Sequence, residues 1–117
     1  MGPGFGASPP LKNCTSLIAL SFWSYQKRGL PRSLTRLDLV GFKNIRRQDW
    51  IAIQNLTSLE ELNIRYCREL KTLPVKLPSS LKKLMLHGNH PDMKERCKRD
   101  TGPDWHNIAH VPDIDIS

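Results

Sequence analysis

The feature that most constrains this chain is a leucine frame that recurs along it. The form Leu-x-x-Leu-x-apolar occurs in LIALSF from Leu17, LTRLDL from Leu34, LEELNI from Leu59 and LKKLML from Leu81. The first leucines are 17, 25 and 22 residues apart, and two of these spacings fall in the range expected of leucine-rich repeats. Because neither a lone strand nor an amphipathic helix has this periodicity, we expect a stack of short repeated units.

Each unit should contribute one short strand to a parallel sheet. The last two apolar residues of the frame are two apart, so they face the same side of a strand. A single unit cannot bury its leucines, but stacked neighbours form a continuous core. We therefore predict an α/β leucine-rich-repeat solenoid over residues 11–90, with about four coils, a short curved parallel β-sheet and irregular or short helical returns.

The position eight residues after the first leucine marks the end of each strand. An asparagine at this position can satisfy backbone groups that the strand leaves unpaired. Phe42, Cys67 and Asn89 occupy it in the last three units. We interpret Phe42 as a space-filling residue and Cys67 as a small buried substitute for asparagine. A nucleophilic Cys67 is the alternative, although no histidine or aspartate partner lies in frame.

Residues 91–117 predict a C-terminal cap. The stretch HPDMKERCKRDTG favours a short helix with Pro91 in its first turn, Met93 and Cys97 on one face, and Gly102 at its end. The closing DWHNIAHVPDIDIS then alternates apolar and acidic residues. This alternation predicts a last strand with its acids outward, which would cover the end of the core.

Composition indicates one folded domain. The chain has 117 residues, of which 38% are hydrophobic and 25% charged, as in ordinary globular proteins. Its cysteines, Cys14, Cys67 and Cys97, are far apart, which suits reduced thiols. Residues 1–10 carry no secretory signal pattern, and we interpret them as a flexible lead-in. We therefore expect a cytoplasmic or nuclear protein with no membrane partner.

Three stretches resemble the C-terminal end of plant intracellular nucleotide-binding leucine-rich-repeat immune receptors, especially the coiled-coil class. They are LTSLEELNIRYCRELKTLP, LPSSLKKLML and, most specifically, ERCKRDTGPDWHNIAHVPDIDI. The resemblance implies recognition of a pathogen effector, directly or through a guarded host protein, and restraint of a nucleotide-binding domain. Because the chain contains no Gly-x-x-x-x-Gly-Lys-Ser/Thr loop, we expect no nucleotide cofactor, and that domain would be a partner.

The third, fifth and seventh positions of each frame should point away from the leucines onto the concave face of the sheet. Their mixture of charges with tryptophan, methionine and arginine suits a protein partner. A solvated strand face without a partner is the alternative. The predicted partner-binding residues are Ala19, Ser21, Trp23, Arg36, Asp38, Val40, Glu61, Asn63, Arg65, Lys83, Met85 and His87.

Other functions find less support in the sequence. The net charge of +7 and the cations of residues 27–47 raise nucleic-acid binding, but these cations alternate with leucines and match no binding motif. His87, His90, His106 and His110 mimic zinc spacing without the usual thiolates, so we expect no metal. No catalytic motif occurs, so we expect no enzyme. A stand-alone repeat protein that binds partners outside immunity remains an alternative.

Overall fold

The structure, a computed structural model, describes residues 16–18, 30–43 and 45–117. The predicted lead-in at 1–10 lies outside these residues. These residues form an α/β arrangement with few helices, in which five parallel strands follow one another across the sheet in chain order. This order is compatible with a leucine-rich-repeat fold, because each strand returns to the side of its predecessor. The strands are β1 (Ser16–Ile18), β2 (Arg36–Val40), β3 (Glu61–Arg65), β4 (Lys83–His87) and β5 (Asp113–Ile116).

The leucine frame forms the core beneath β2, β3 and β4. In the units that start at Leu34, Leu59 and Leu81, every frame residue is at most 2% exposed. Equivalent positions lie side by side in adjacent strands, for example Leu37 beside Leu62. Each fully buried leucine contributes about 1.5–3 kcal/mol of transfer free energy. The predicted frame is therefore confirmed in these three units.

The first unit pairs in a different register. The frame aligns Leu17 with Leu34, but in the sheet Leu17 lies opposite Leu37. That alignment is wrong by three residues. Residues 17–20 are apolar at all four positions, so their periodicity does not select one frame. The predicted partner-binding residues that depended on this alignment lie outside the described residues: Ala19, Ser21 and Trp23.

The return between β2 and β3 contains helix α1 (Arg47–Gln54). At its start, the carboxylate of Asp49 accepts a hydrogen bond of 3.0 Å from the backbone N–H of Arg46, which satisfies a donor that the helix leaves unpaired. Trp50 and Ile53, three positions apart, are buried against the core. The helix thus lengthens this return to the 25-residue spacing of the leucine frame.

Asn89 ties the end of β4 to the end of β3. Its Oδ1 accepts the Cys67 backbone N–H at 2.9 Å, and its Nδ2 donates to the Ile64 carbonyl at 2.9 Å. This confirms the role predicted for an asparagine at this position. Cys67 and Phe42 are buried, as predicted. Burial raises the pKa of the Cys67 thiol, so the thiol remains protonated at neutral pH and packing is favoured over a nucleophilic role.

The cap begins with helix α2 (Asp92–Arg96). Met93 and Cys97 share its buried face, as predicted, and burial raises the pKa of Cys97 to about 12. The helix is shorter than predicted, because the chain turns before Gly102, whose N–H donates to the Lys98 carbonyl at 2.8 Å. The acids of β5 are exposed, as predicted.

The carboxylate of Asp104 joins the cap to the return between β3 and β4. It accepts hydrogen bonds from the Thr72 hydroxyl at 2.5 Å and from the Leu73 N–H at 3.2 Å. Arg96 donates to both carboxylate oxygens, at 2.9 and 3.2 Å. With a side chain only 7% exposed, Asp104 is a buried charge whose hydrogen-bonding capacity is well used.

Asn107 and His110, three and six residues after Asp104, also attach the cap to this return. The Asn107 Nδ2 donates to the Leu73 carbonyl at 2.8 Å, and the backbone carbonyl of Asn107 accepts a hydrogen bond from the Leu77 N–H at 3.1 Å. The His110 Nε2 lies 3.0 Å from the Pro78 carbonyl. The DWHNIAH stretch therefore holds an extended return that has no helix of its own.

The Asp104 contacts predict an acid-sensitive cap. Burial alone would raise the pKa of Asp104, but hydrogen bonds from Arg96, Thr72 and Leu73 outweigh burial and lower it. The folded pKa therefore lies below the unfolded value of about 3.9, so this stabilisation is complete above that pH and is lost as pH falls through the folded pKa. We expect Asp104→Asn to lower the free energy of unfolding at pH 7 by about 1.5–3 kcal/mol.

Urea unfolding at pH 7 and pH 3 measures this effect. The difference between wild type and Asp104→Asn should shrink at the lower pH. Asp100→Asn, at an exposed position in the same segment, should match the wild type at both. A difference for Asp104→Asn that is equal at the two pH values would contradict the assignment.

Candidate functional site

The strand register brings nine of the twelve predicted partner-binding side chains together on one face of the sheet. Strand β5, whose acids had been predicted only as part of the cap, extends this face by two carboxylates. We call the whole set the polar face. Its rows across the sheet are Arg36, Glu61, Lys83 and Asp113; Asp38, Asn63, Met85 and Asp115; and Val40, Arg65 and His87.

Charge alternates along the first row of the polar face. Arg36, Glu61, Lys83 and Asp113 stand in neighbouring strands in that order, and opposite charges across strands stabilise a sheet. The face carries three cations and four anions, whereas the whole chain has a net charge of +7. The basic excess therefore lies elsewhere, and this face does not suit a phosphate backbone.

Four polar-face residues, Arg36, Asp38, Glu61 and Asn63, contact one another through hydrogen bonds and ion pairs. Asp38 and Asn63 are 3% and 2% exposed. The Asn63 Nδ2 donates to Asp38 Oδ1 at 2.6 Å and to Glu61 Oε2 at 3.0 Å. Arg36 lies 3.4 Å from Asp38 and 3.5 Å from Glu61. These side chains thus bind one another within the sheet. The alternation of strand residues predicts which side each one faces but not how deeply it is buried.

The remaining polar-face side chains of β3 and β4 lie outside the network around Asp38. Arg65, Lys83 and Met85 are half-buried, and within the described residues neither Arg65 nor Lys83 forms an ion pair. The buried Nε of Arg65 has no hydrogen-bond partner among those residues. His87 Nε2 lies 3.2 Å from Asp115 Oδ2, yet this pair lacks the alignment of a hydrogen bond. A partner could therefore engage these groups without breaking the network around Asp38.

The histidines with zinc-like spacing do not come together. His87 lies on the polar face, whereas His110 contacts the Pro78 carbonyl. Within residues 16–18, 30–43 and 45–117, no three side chains of the metal-binding types converge. The same part of the chain contains no helix that is long and apolar enough to span a membrane.

Sequence reasoning missed Tyr66, which follows β3 beside the polar face and is 55% exposed. Its place in the frame, between the strand positions and the buried Cys67, gives no sign of which way it points. Asp113 and Asp115 were assigned to the cap alone. Their alternation with isoleucine could have indicated that they continue the polar face.

One curated protein is similar to part of the chain. Over 54 residues, 45% of its length, the chain is 39% identical to a Solanum bulbocastanum protein named as the disease resistance protein RGA4, and the match spans 6% of that relative. No protein-family model matches the chain, and no solved structure matches it significantly. The similarity supports a relationship to plant disease resistance proteins, in agreement with the resemblance of the closing motif.

A double-mutant cycle tests the network of the polar face. We expect Asp38→Ala and Asn63→Ala each to destabilise the fold by about 1–3 kcal/mol, because each leaves a buried polar partner unsatisfied. The double variant should lose less than the sum, by at least about 0.5 kcal/mol. Asp38→Ala combined with Ser79→Ala, at an exposed position of a return, is the additive control. Additivity in the first pair, measured by urea unfolding, would contradict the network.

Proposed function

We propose that this chain is the protein-recognition module of a plant intracellular immune receptor, built as a leucine-rich-repeat solenoid with a C-terminal cap. It senses a pathogen effector, directly or through a guarded host protein, in the cytoplasm or nucleus. It also restrains a nucleotide-binding domain that is not part of this chain. The observation that carries the proposal is the polar face, on which strands in fixed register present the half-buried side chains of Arg65, Lys83 and Met85.

The sheet geometry supports the solenoid assignment. Its strands lie in chain order, and equivalent leucines are partners from β2 to β4. Asn89 also makes the strand-end contacts that the repeat frame predicts. Repeats of this kind present an extended surface on which side chains from successive strands act together.

The chemistry of the polar face supports a protein partner. Nearly balanced charge disfavours a phosphate backbone, while arginine and methionine are enriched in the centres of protein interfaces. Arg65 and Met85 are half-buried, so a partner can complete their burial at a small further loss of side-chain freedom. We propose that the chain acts by binding and not by catalysis; the buried, protonated thiols of Cys67 and Cys97 are consistent with this.

Display libraries test the proposed recognition. We would select two phage libraries on the chain, one of proteins secreted by pathogens of Solanum and one of Solanum coding sequences. Met85→Arg combined with Lys83→Ser should weaken the selected clones at least about tenfold, because interface anchors carry most of the binding free energy. The melting temperature should change little, since neither side chain belongs to the Asp38 network and Lys83 forms no ion pair with a described residue, so that only weak cross-strand attraction is lost.

The control changes charge and size in the same way on another surface. Ile51→Arg with Arg47→Ser alters two exposed residues of α1 and should leave binding intact. Clones that bind both variants equally would contradict recognition by the polar face. An absence of specific clones from both libraries would contradict the proposed function itself.

A nucleic-acid partner is the second candidate, and one surface favours it. Lys43, Arg47 and Lys71, together with Glu69, line a groove beside Trp50 that includes no residue of the polar face. If this groove binds nucleic acid, the affinity for a 20-base-pair DNA duplex should fall steeply between 50 and 200 mM salt. An affinity that does not change over this range excludes the candidate.

A further inference from the structure

The residue that follows each of the strands β2, β3 and β4 adopts an unusual backbone conformation. Gly41, Tyr66 and Gly88 follow β2, β3 and β4, and their φ angles are +70°, +57° and +68°. The Gly41 and Tyr66 N–H groups each donate to the neighbouring strand at 2.9 Å, to the Arg65 and His87 carbonyls. The sheet therefore requires a left-handed residue at this position, and glycine is suited to it in two of the three units.

Tyr66 occupies this position at a cost. A residue with a side chain loses about 1–2 kcal/mol in the left-handed region relative to glycine. More than half of the side chain is exposed, at 55%, so burial recovers only part of that cost. Residues held in strained backbone conformations cluster at active sites and ligand-binding sites.

The ring of Tyr66 has a defined place on its neighbour. A Cβ built on Gly88 would lie 2.6 Å from Tyr66 Cδ1 and 2.9 Å from Cε1. The missing side chain of Gly88 thus provides the space in which the ring rests. Because one side of the ring packs on backbone and the rest faces solvent, Tyr66 forms a positioned apolar platform at the end of β3.

The charged side chain beside this platform, Arg65, forms no ion pair within the described part of the chain. Arg65 directly precedes Tyr66, and its buried Nε has no hydrogen-bond acceptor in the described part of the chain. Although Nε is enclosed, the Arg65 side chain as a whole is only half-buried and forms no ion pair with a described residue. Such a guanidinium favours a carboxylate, which its other N–H groups bind through charge-assisted hydrogen bonds. Tyrosine and arginine, like tryptophan, are also enriched at the energetic centres of protein interfaces.

We propose that Tyr66 and Arg65 form an anchor for a protein segment that carries a carboxylate next to an apolar side chain. The carboxylate pairs with Arg65, and the apolar side chain packs on the ring of Tyr66. This anchor rests on the proposed function, since it names the chemistry of the segment that the recognition module takes. It also extends the recognition surface beyond the strands to the turn that follows β3.

A phage-displayed library of random 12-residue peptides tests the anchor. Clones selected on the wild type should be enriched in Asp or Glu within two positions of Leu, Phe, Trp or Pro. Tyr66→Gly and Arg65→Gln should each weaken these clones at least about tenfold. Tyr66→Gly should keep or raise the melting temperature, because it restores the residue that the backbone favours. Clones unaffected by Tyr66→Gly, a basic or absent consensus, or a lowered melting temperature would each overturn the proposal.

The two glycines supply a matched control. Gly41→Ala and Gly88→Ala each add a Cβ to a residue in the left-handed backbone conformation. Nothing lies within 4 Å of that Cβ at Gly41, whereas at Gly88 it would meet the ring of Tyr66. Only Gly88→Ala should weaken peptide binding, because it displaces the ring of Tyr66. Equal binding by the two variants would contradict the platform. The two proposals can fail separately. If the selected proteins require Met85 and Lys83 but the peptides bind Tyr66→Gly as well as the wild type, the anchor is contradicted and the proposed function is not.

Discussion

The fold depends on the burial of leucines that no single unit can cover. Each unit from β2 to β4 contributes three frame residues that are almost completely buried, and they are covered because the same positions of the next unit lie beside them. This requirement fixes the register, since a slip of one residue would turn the leucines to solvent and the polar residues into the core. The polar face follows from that register without any further constraint.

The sequence predicts those parts of the fold that repeat. The leucine frame located β2 to β4, and the role of Asn89 followed from its position in the unit. The register of β1 could not be predicted, because residues 17–20 are uniformly apolar. The contacts of Asp104 and Asn107 with the return also escaped prediction, since they join residues more than thirty positions apart without any periodic signal.

The candidate site was predicted as a set of residues that share a face, and the structure divides this set. Strand alternation tells which side a residue faces but not which neighbours it binds. Asp38 and Asn63 are buried in a network with each other, whereas Arg65 and Met85 keep accessible groups. Tyr66 was missed because its importance lies in its backbone: a positive φ, where the neighbouring units have glycine, cannot be predicted from a leucine pattern.

The register of β3 and β4 is the claim on which the site depends, and nuclear Overhauser contacts measure it directly. The account predicts cross-strand backbone contacts that place Leu62 beside Leu84 and Asn63 beside Met85, the pairs found in the sheet. This pairing keeps Arg65 next to His87 at the end where Tyr66 lies. Contacts shifted by one residue would contradict the account, because the side chains assigned to the polar face would then point into the core.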